Sequence, residues 1–329
     1  MSGIAVVTGA AGYVGQNLLT ALLEAGYVVR AVDRERPAHA DDRADWRVAD
    51  VLDRGSVDRA LEGADVVIHL AAKITLAQED PVAWQVNTEG VRNVAEAALA
   101  AGVRRMVHTS SMAAFDLSRC GGTLTEDSPR STDPRLPVYG KSKLAGEAEF
   151  AAVVAKGLDG LTCIPTSLIG PSDRGPVLSQ VNAVLLASAQ GKIPVLIGGN
   201  LDMVDVRDIA GGLVLAAERG RTGETYLLGG HHTTMLAAFR MAAQLVGRKG
   251  PRFALPLGLV KRIAPAVTAL SRRPDHPLSE HALETIEFAP VVDWSKAERD
   301  FGYSSRPLEE SMRDLVEHLV AEGHLVAKT

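Results

Sequence analysis

Short apolar runs alternate along the first half of the chain with longer segments in which apolar residues recur every three to four positions. Residues 4–7, 28–32, 46–49, 66–70, 105–109 and 161–164 are of the first kind and predict strands. Residues 16–25, 56–61, 84–101 and 139–155 are of the second and predict helices, Ala-rich and striped on one face. Strands that alternate with helices build a parallel, doubly wound sheet covered on both faces. A ligand of such a sheet lies across the carboxyl ends of its strands, where Thr8, Asp33, Asp50, Ala71 and Ser110 fall. After Gly170 the texture becomes Pro- and Gly-punctuated, with a further helix expected over 208–217, Asp208 as its N-cap, and a short strand over 225–228. The chain contains no internal repeat and no low-complexity tract.

The first turn carries a chemical signal. Thr8-Gly9-Ala10-Ala11-Gly12-Tyr13-Val14-Gly15 links the first strand to the first helix. Glycines there let the backbone turn tightly and approach a ligand, and the free amides and positive dipole end of the helix favour a pyrophosphate. The spacing is GxxGxxG rather than the GxGxxG of the usual dinucleotide fingerprint. Eighteen residues past Gly15 the second strand ends in Asp33, where a carboxylate can accept hydrogen bonds from an adenosine ribose. An Asp there favours NAD and repels a 2′-phosphate, whereas the guanidinium of Arg34 or Arg36 leaves NADP possible.

Composition narrows the field. The 329 residues are 46% apolar, enough for a sizeable core, and a formal charge of −5 with both signs interspersed argues against nucleic-acid binding. Cys120 and Cys163 form neither a disulfide framework nor a metal site, and the histidines lack ligand spacing. No apolar run approaches the length of a membrane span, and no basic leader precedes the glycine turn, so a cytoplasmic protein acting on a small molecule is expected. Residues 257–270, apolar but carrying Lys261 and Arg262 and interrupted by Pro265, are read as an amphipathic helix over the substrate region.

Tyr139-Gly140-Lys141-Ser142-Lys143 opens a helix with Tyr139 and Lys143 on one face, and Thr109-Ser110-Ser111 closes a strand upstream. A phenol that works near neutrality must move down by about 3 units, roughly 4 kcal/mol. One ammonium about 4 Å away supplies roughly that at an effective dielectric of about 20. Lys143 is expected to play this part, a Ser hydroxyl to donate to the substrate oxygen, and Tyr139 to pass the proton.

In this order, the glycine turn, the acidic strand end, the Ser pair and YxxxK resemble the extended or atypical branch of the short-chain dehydrogenase/reductase superfamily. The resemblance covers nearly the whole chain, including VVIHLAA (66–72), NTEGVRNV (87–94), 165–171, VDVRDIA (204–210) and 293–310. It implies a Rossmann-type domain over 1–169, completed by segments near 204–228, with 170–203 and 229–329 mainly substrate-binding. Gly9, Gly12, Tyr13, Val14 and Gly15 would hold the pyrophosphate of NAD(P), Asp33 and Arg34 the ribose end, and Asp50 with Val51 the adenine. Leu70, Ala71, Ala72, Thr109, Tyr139, Lys143, Pro165 and Ser167 would line the nicotinamide side. Ser111 aligns best with the catalytic hydroxyl and Ser110 is the fallback; Asn87 is either a supporting residue or a helix cap, and His69 is packed rather than catalytic.

Departures from the family narrow the substrate. Sugar dehydratases carry Asp and Glu after the catalytic hydroxyl residue, where Met112 and Ala113 stand here. Nucleotide-sugar epimerases commonly carry Arg and Asn at the positions of Ile164 and Ser167, whereas 164–171 is similar to the IPTxxxGP stretch of dihydroflavonol-reductase-like enzymes. Met112, Ala113, Ala114, Phe115, Leu168 and Ile169 would form an apolar floor, with core packing the alternative for most of them. The resemblance thus implies an NAD(P)-dependent interconversion of a carbonyl and an alcohol on an apolar small molecule. An NAD-dependent sugar epimerase is the alternative, since 199–212 and 223–230 resemble hopanoid-associated sugar epimerases, and a non-catalytic dinucleotide sensor is a third reading. It further implies a homodimer that pairs the 84–101 and 139–155 helices across a two-fold axis.

Overall fold

The alternation resolves into a seven-stranded parallel sheet in the computed structural model, which describes residues 3–174, 178–271 and 280–326. β1 (Ile4–Thr8) passes through the glycine turn to α1 (Tyr13–Glu24), β2 (Val28–Asp33), β3 (Asp45–Val48), α2 (Arg54–Leu61) and β4 (Val66–His69). α3 (Pro81–Asn87), α4 (Glu89–Ala100), β5 (Arg105–Thr109), the short β6 (Thr123–Leu124), α5 (Val138–Val154) and β7 (Gly160–Pro165) follow. Then come β8 (Ser167–Ile169), α6 (Gln180–Ala189), β9 (Val195–Ile197), β10 (Asn200–Asp205), α7 (Val206–Arg219), β11 (Thr225–Leu228), β12 (His231–Thr234) and α8 (Met235–Gln244). β13 (Phe253–Leu255), α9 (Leu257–Ser271), α10 (Glu280–Glu287), β14 (Val291–Val292), α11 (Ser295–Phe301) and α12 (Leu308–Ala321) complete the order.

The main sheet runs β3-β2-β1-β4-β5-β7-β11, the doubly wound order that the strand and helix pattern predicts. Its central strands read as largely apolar runs because both faces are covered. Leu18, Leu19 and Leu22 of α1 pack with α7 on one face, and Val94, Ala98 and Phe150 of α4 and α5 on the other. Full burial of each such leucine contributes about 1.5–3 kcal/mol. Register brings the carboxyl ends to one level: Thr8 pairs with Val32 and His69, His69 with His108, and Thr109 with Cys163. A smaller sheet, β12-β10-β8, is built by chain that follows β7, and its own core includes Ile169, Met203, Phe239 and Met312.

Two expectations are corrected. The helix expected over 84–101 is broken at Thr88, whose Oγ1 donates to the Trp84 carbonyl (2.8 Å) while the side chain of Asn87 turns inward. The helix expected to begin at Asp208 begins at Val206 and is capped by Asp205, which accepts from the Arg207 amide at 2.8 Å. Asp208 instead accepts from the Arg306 amide (2.8 Å) and guanidinium (2.9 Å). Sequence alone favoured the wrong aspartate because both precede the apolar stripe of α7. The stretch at 257–270 forms α9, with Val260 and Ala264 buried and Leu259 and Ile263 exposed. Among the described residues no helix is long and apolar enough to cross a membrane.

Asp205 is fully buried, and besides capping α7 it pairs with Arg207 at 2.7 Å. Asp205→Ala removes the cap and the buried partner of Arg207, which keeps Asp314 at 2.7 Å, so it is expected to cost about 2 kcal/mol. Urea unfolding measures this, and a loss below about 1 kcal/mol, the size of a surface pair, contradicts it.

Candidate active site

The glycine turn lies against the end of β4. A Cβ on Gly9, whose φ is +77°, would stand 2.6 Å from the Ala71 amide nitrogen, and one on Gly15 would stand 2.4 Å from the Gly9 carbonyl oxygen. Only glycine lets these backbones close up. Gly12 caps α1 with no side chain on the first amides, which leaves them to a ligand. Asp33 ties the turn to β2: its carboxylate accepts from the amides of Ala11 (2.9 Å) and Arg34 (2.8 Å). Arg34 is exposed, Arg36 is paired with Asp42, and Asp50 accepts from the Leu52 amide at 2.9 Å. Val51 is packed under Gly90, and its carbonyl accepts from Asn93 at 2.9 Å. Such a cradle of close backbones, free amides and an acidic strand end fits a dinucleotide.

The side chain of Tyr13 points away from that cradle. Its hydroxyl donates to the Gly170 carbonyl (2.7 Å) and accepts from Asn182 (3.2 Å), which ties α1 to the chain after β8. Burial holds this phenol well above its usual value. Any contribution of Tyr13 to a dinucleotide therefore comes from its backbone.

Ser111, Tyr139 and Lys143 converge at the ends of β5 and α5. Gly140 makes the approach possible, because a Cβ there would meet the Ala113 carbonyl oxygen at 2.6 Å. The first turn of α5 thus rests on the 3-10 turn Met112–Ala114, and Ser111 comes within hydrogen-bonding reach of Tyr139. Ser110 is nearly fully buried and donates to Glu147 at 2.5 Å, so of the serine pair it is Ser111 that faces the phenol. Lys143 is 4% exposed and donates to the Thr109 carbonyl oxygen at 2.6 Å. Asn87 is no helix cap: its amide accepts from the Lys73 amide and donates to the Lys73 carbonyl and to Ser142, which pins the loop after β4 beside α5.

The electrostatics depart from the sequence expectation. Burial raises the Tyr139 phenol above its ordinary value, opposed by the hydrogen bond from Ser111. The ammonium that was expected to lower it is held on Thr109 instead. Burial pushes Lys143 down to about 8, while the charge of Glu147 pulls it up. Beneath Lys143 lie His69 and His108, stacked with ring centroids 5.7 Å apart. Burial, and then the Lys143 charge, holds His69 down to about 3 and His108 well below its usual value, so both are neutral. His69 is hydrogen-bonded to Thr8 Oγ1 at 2.6 Å, the packed role expected of it.

On the substrate side the expected floor divides. Met112, Ala113 and Leu168 are half-buried, as are Pro165 and Ser167, with Met112 packed on the cluster of Phe115 and Ile164 and Leu168 on the main core. Ala114, Phe115 and Ile169 belong to the core; Phe115 is 3% exposed and covered by the Arg130 guanidinium 3.7 Å from its ring. A loop that the sequence left unassigned closes one side: Ala77 accepts from the Val138 amide (2.9 Å), and Ile74 and Leu76 stand exposed between Lys73 and Ala77. Leu70 and Ala71 are half-buried and Ala72 is exposed at the end of β4. A concavity of about 520 Å³ lined by Arg54, Asp58, Arg59 and Glu62 lies between α2 and α4 and contains none of these residues.

Two residues of the cluster escaped the sequence reading. His108 was one more polar letter in an apolar strand, and no signal marked it. Glu147 had one, since it continues the Tyr139, Lys143 spacing by another helical turn.

Residues 5–229 match the model of the NAD dependent epimerase/dehydratase family. A putative dihydroflavonol 4-reductase of Synechocystis sp. is 30% identical over 97% of this chain and 95% of its own length. Sterol demethylase protein B of Methylococcus capsulatus is 32% identical, covering 94% of this chain and 96% of its own. The crystal structure of gox2253 superposes with a TM-score of 0.85 at 30% identity, over 99% of this chain and all of that one.

The buried lysine gives the fold a pH signature. Its value near 8 lies below the ordinary lysine value of about 10.4, so between the two the unfolded chain binds more protons than the folded one. The stability it costs at neutral pH is thus relieved as pH rises. Unfolding free energies from pH 7 to 10 should rise for the wild type relative to Lys143→Met; parallel curves would contradict the depressed value.

Proposed function

Because the chain belongs to the NAD dependent epimerase/dehydratase family, we propose that it is an NAD(P)-dependent reductase that interconverts a ketone or aldehyde and an alcohol on a largely apolar small molecule. The observation that carries this reading is a hydroxyl pair, Ser111 with Tyr139, one helical turn from a buried lysine and at the sheet end that carries the glycine cradle. The similarity to a putative dihydroflavonol 4-reductase over nearly the whole chain supports it.

Gly9, Gly12, Val14 and Gly15 would hold a dinucleotide, which when bound would supply the hydride. The chain's own residues handle the oxygen. Ser111 Oγ donates a hydrogen bond to the substrate carbonyl, and Tyr139 Oη gives it a proton. Burial keeps that phenol protonated at neutral pH, which is the state that carbonyl reduction needs. The Lys143 ammonium stabilises the negative charge that the phenol acquires as the proton leaves. Met112, Ala113 and Leu168, with Ile74 and Leu76 at the rim, favour an apolar substrate body. Asp33 at the ribose end favours NADH, while the exposed Arg34 leaves NADPH usable.

An epimerase acting on a diphosphate-linked sugar fits less well. Ile164, at the position where such enzymes commonly carry Arg, is fully buried in an apolar cluster with Phe115 and Leu227 and offers a diphosphate nothing. An epimerase would also hold its NAD through purification, whereas a reductase releases it each cycle. A pure sensor needs neither Tyr139 nor Lys143.

The test is turnover of a panel of aromatic, terpenoid and steroid-like ketones and aldehydes with NADH and NADPH. Tyr139→Phe should lower kcat by about 10²–10⁴ while dinucleotide binding stays intact. Full activity in that variant would overturn the assignment. The reductive rate should be level near neutrality and fall as pH rises through about 8, where Lys143 loses its proton; a rate that climbs there contradicts the role given to the ammonium.

A further inference from the structure

Glu147 lies one turn beyond Lys143 on α5, its side chain 15% exposed, and both of its oxygens are engaged. Oε1 accepts from Ser110 (2.5 Å), the buried neighbour of Ser111, and Oε2 accepts from Arg130 Nε (2.9 Å). Arg130 is itself fixed across the face of Phe115, and its strand position is set by the bridge between Phe115 and Arg130. The carboxylate is therefore clamped from two sides and cannot swing to meet a ligand. Its neighbourhood also holds little else that is negative. Lys143 faces Tyr139 and Glu147 from its own helix, His69 from β4 and His108 from β5, and both imidazoles are neutral. An ammonium that is 4% exposed, with a carbonyl oxygen as its direct partner among the described residues, needs a countercharge to stay charged.

We propose that Glu147 is the positioning residue of this site: a fixed carboxylate, anchored by Ser110 and Arg130, whose charge keeps Lys143 an ammonium beside the reacting groups. It touches neither substrate nor coenzyme and acts through the lysine. The same anchor sets the register of the 110–111 pair, since the hydroxyl of Ser110 is drawn inward to Glu147 and that of Ser111 is left to face Tyr139. Arg130 works against the ammonium by taking up part of the carboxylate's charge. The relevance of this to catalysis rests on the reductase reading, but the charge state of Lys143 is a property of the protein alone.

The experiment reads that charge state without turnover. Acetic anhydride labels the free amine of Lys143 in coenzyme-free protein, and mass spectrometry gives the rate from pH 6 to 10. The wild-type midpoint is expected near 8. Glu147→Gln should lower it by about one pH unit, a tenfold larger ratio of amine to ammonium at a given pH. Arg130→Met should raise it. Loosening of the helix would instead move Glu147→Gln and Arg130→Met in the same direction, and that result overturns the proposal, as does an unmoved midpoint in Glu147→Gln. If Glu147→Gln fails to fold, the upward shift in Arg130→Met still decides. In the reductase assay the alkaline limb of Glu147→Gln should move down with the labelling midpoint. If no carbonyl is reduced while the labelling shifts appear, the functional reading fails and the role of Glu147 stands.

Discussion

The site depends on a single costly act, which is to place the lysine ammonium of α5 in the dry space between two sheet ends and a helix. The fold does so with little direct compensation, one carbonyl oxygen from Thr109. Everything nearby can be understood as accommodation of that charge. The two imidazoles below it stay neutral, the carboxylate one turn away is clamped in place, and Gly140 allows the helix to sit close enough for Tyr139 and Ser111 to meet. A hydrophobic residue in place of Lys143 would be easier to bury, so its presence is more readily explained by chemistry than by stability.

The second constraint is geometric. Seven parallel strands end at one level, and the loops that leave them meet in one place. That is why residues as distant in the chain as Gly9, Asp33, Ala71, Ser111, Tyr139 and Pro165 come to lie at one end of the sheet. Tyr13 extends the arrangement by bonding the start of α1 to Gly170, so the glycine turn is joined to the region that follows β8.

Much of this was legible in the sequence. Largely apolar runs marked the parallel strands, because strands buried on both faces have little polar alternation to blur them. Glycine at 9, 12 and 15 marked the turn, since no other residue fits the backbones at 9 and 15, and the spacing from Tyr139 to Lys143 marked a helix face. What stayed hidden were matters of direction. Whether Asp205 or Asp208 caps α7, whether the side chain of Asn87 caps or clamps, and whether Phe115 faces a ligand or the core are decided by packing partners far away in sequence. The sign of the shift on Tyr139 was hidden for the same reason. Spacing put the ammonium on the right face, but the Thr109 carbonyl decides where it rests.

The central claim is that this site moves a hydride between a nicotinamide and a carbonyl carbon. The most direct measurement is reduction of an apolar ketone with NADH carrying deuterium at one face of C4, followed by mass spectrometry and NMR of the alcohol. The account predicts one deuterium on the carbinol carbon, delivered from one face of the coenzyme only, with stoichiometric oxidation of NADH. Coenzyme that binds yet is never oxidised with any carbonyl offered, or an alcohol whose carbinol hydrogen comes from water, would contradict it.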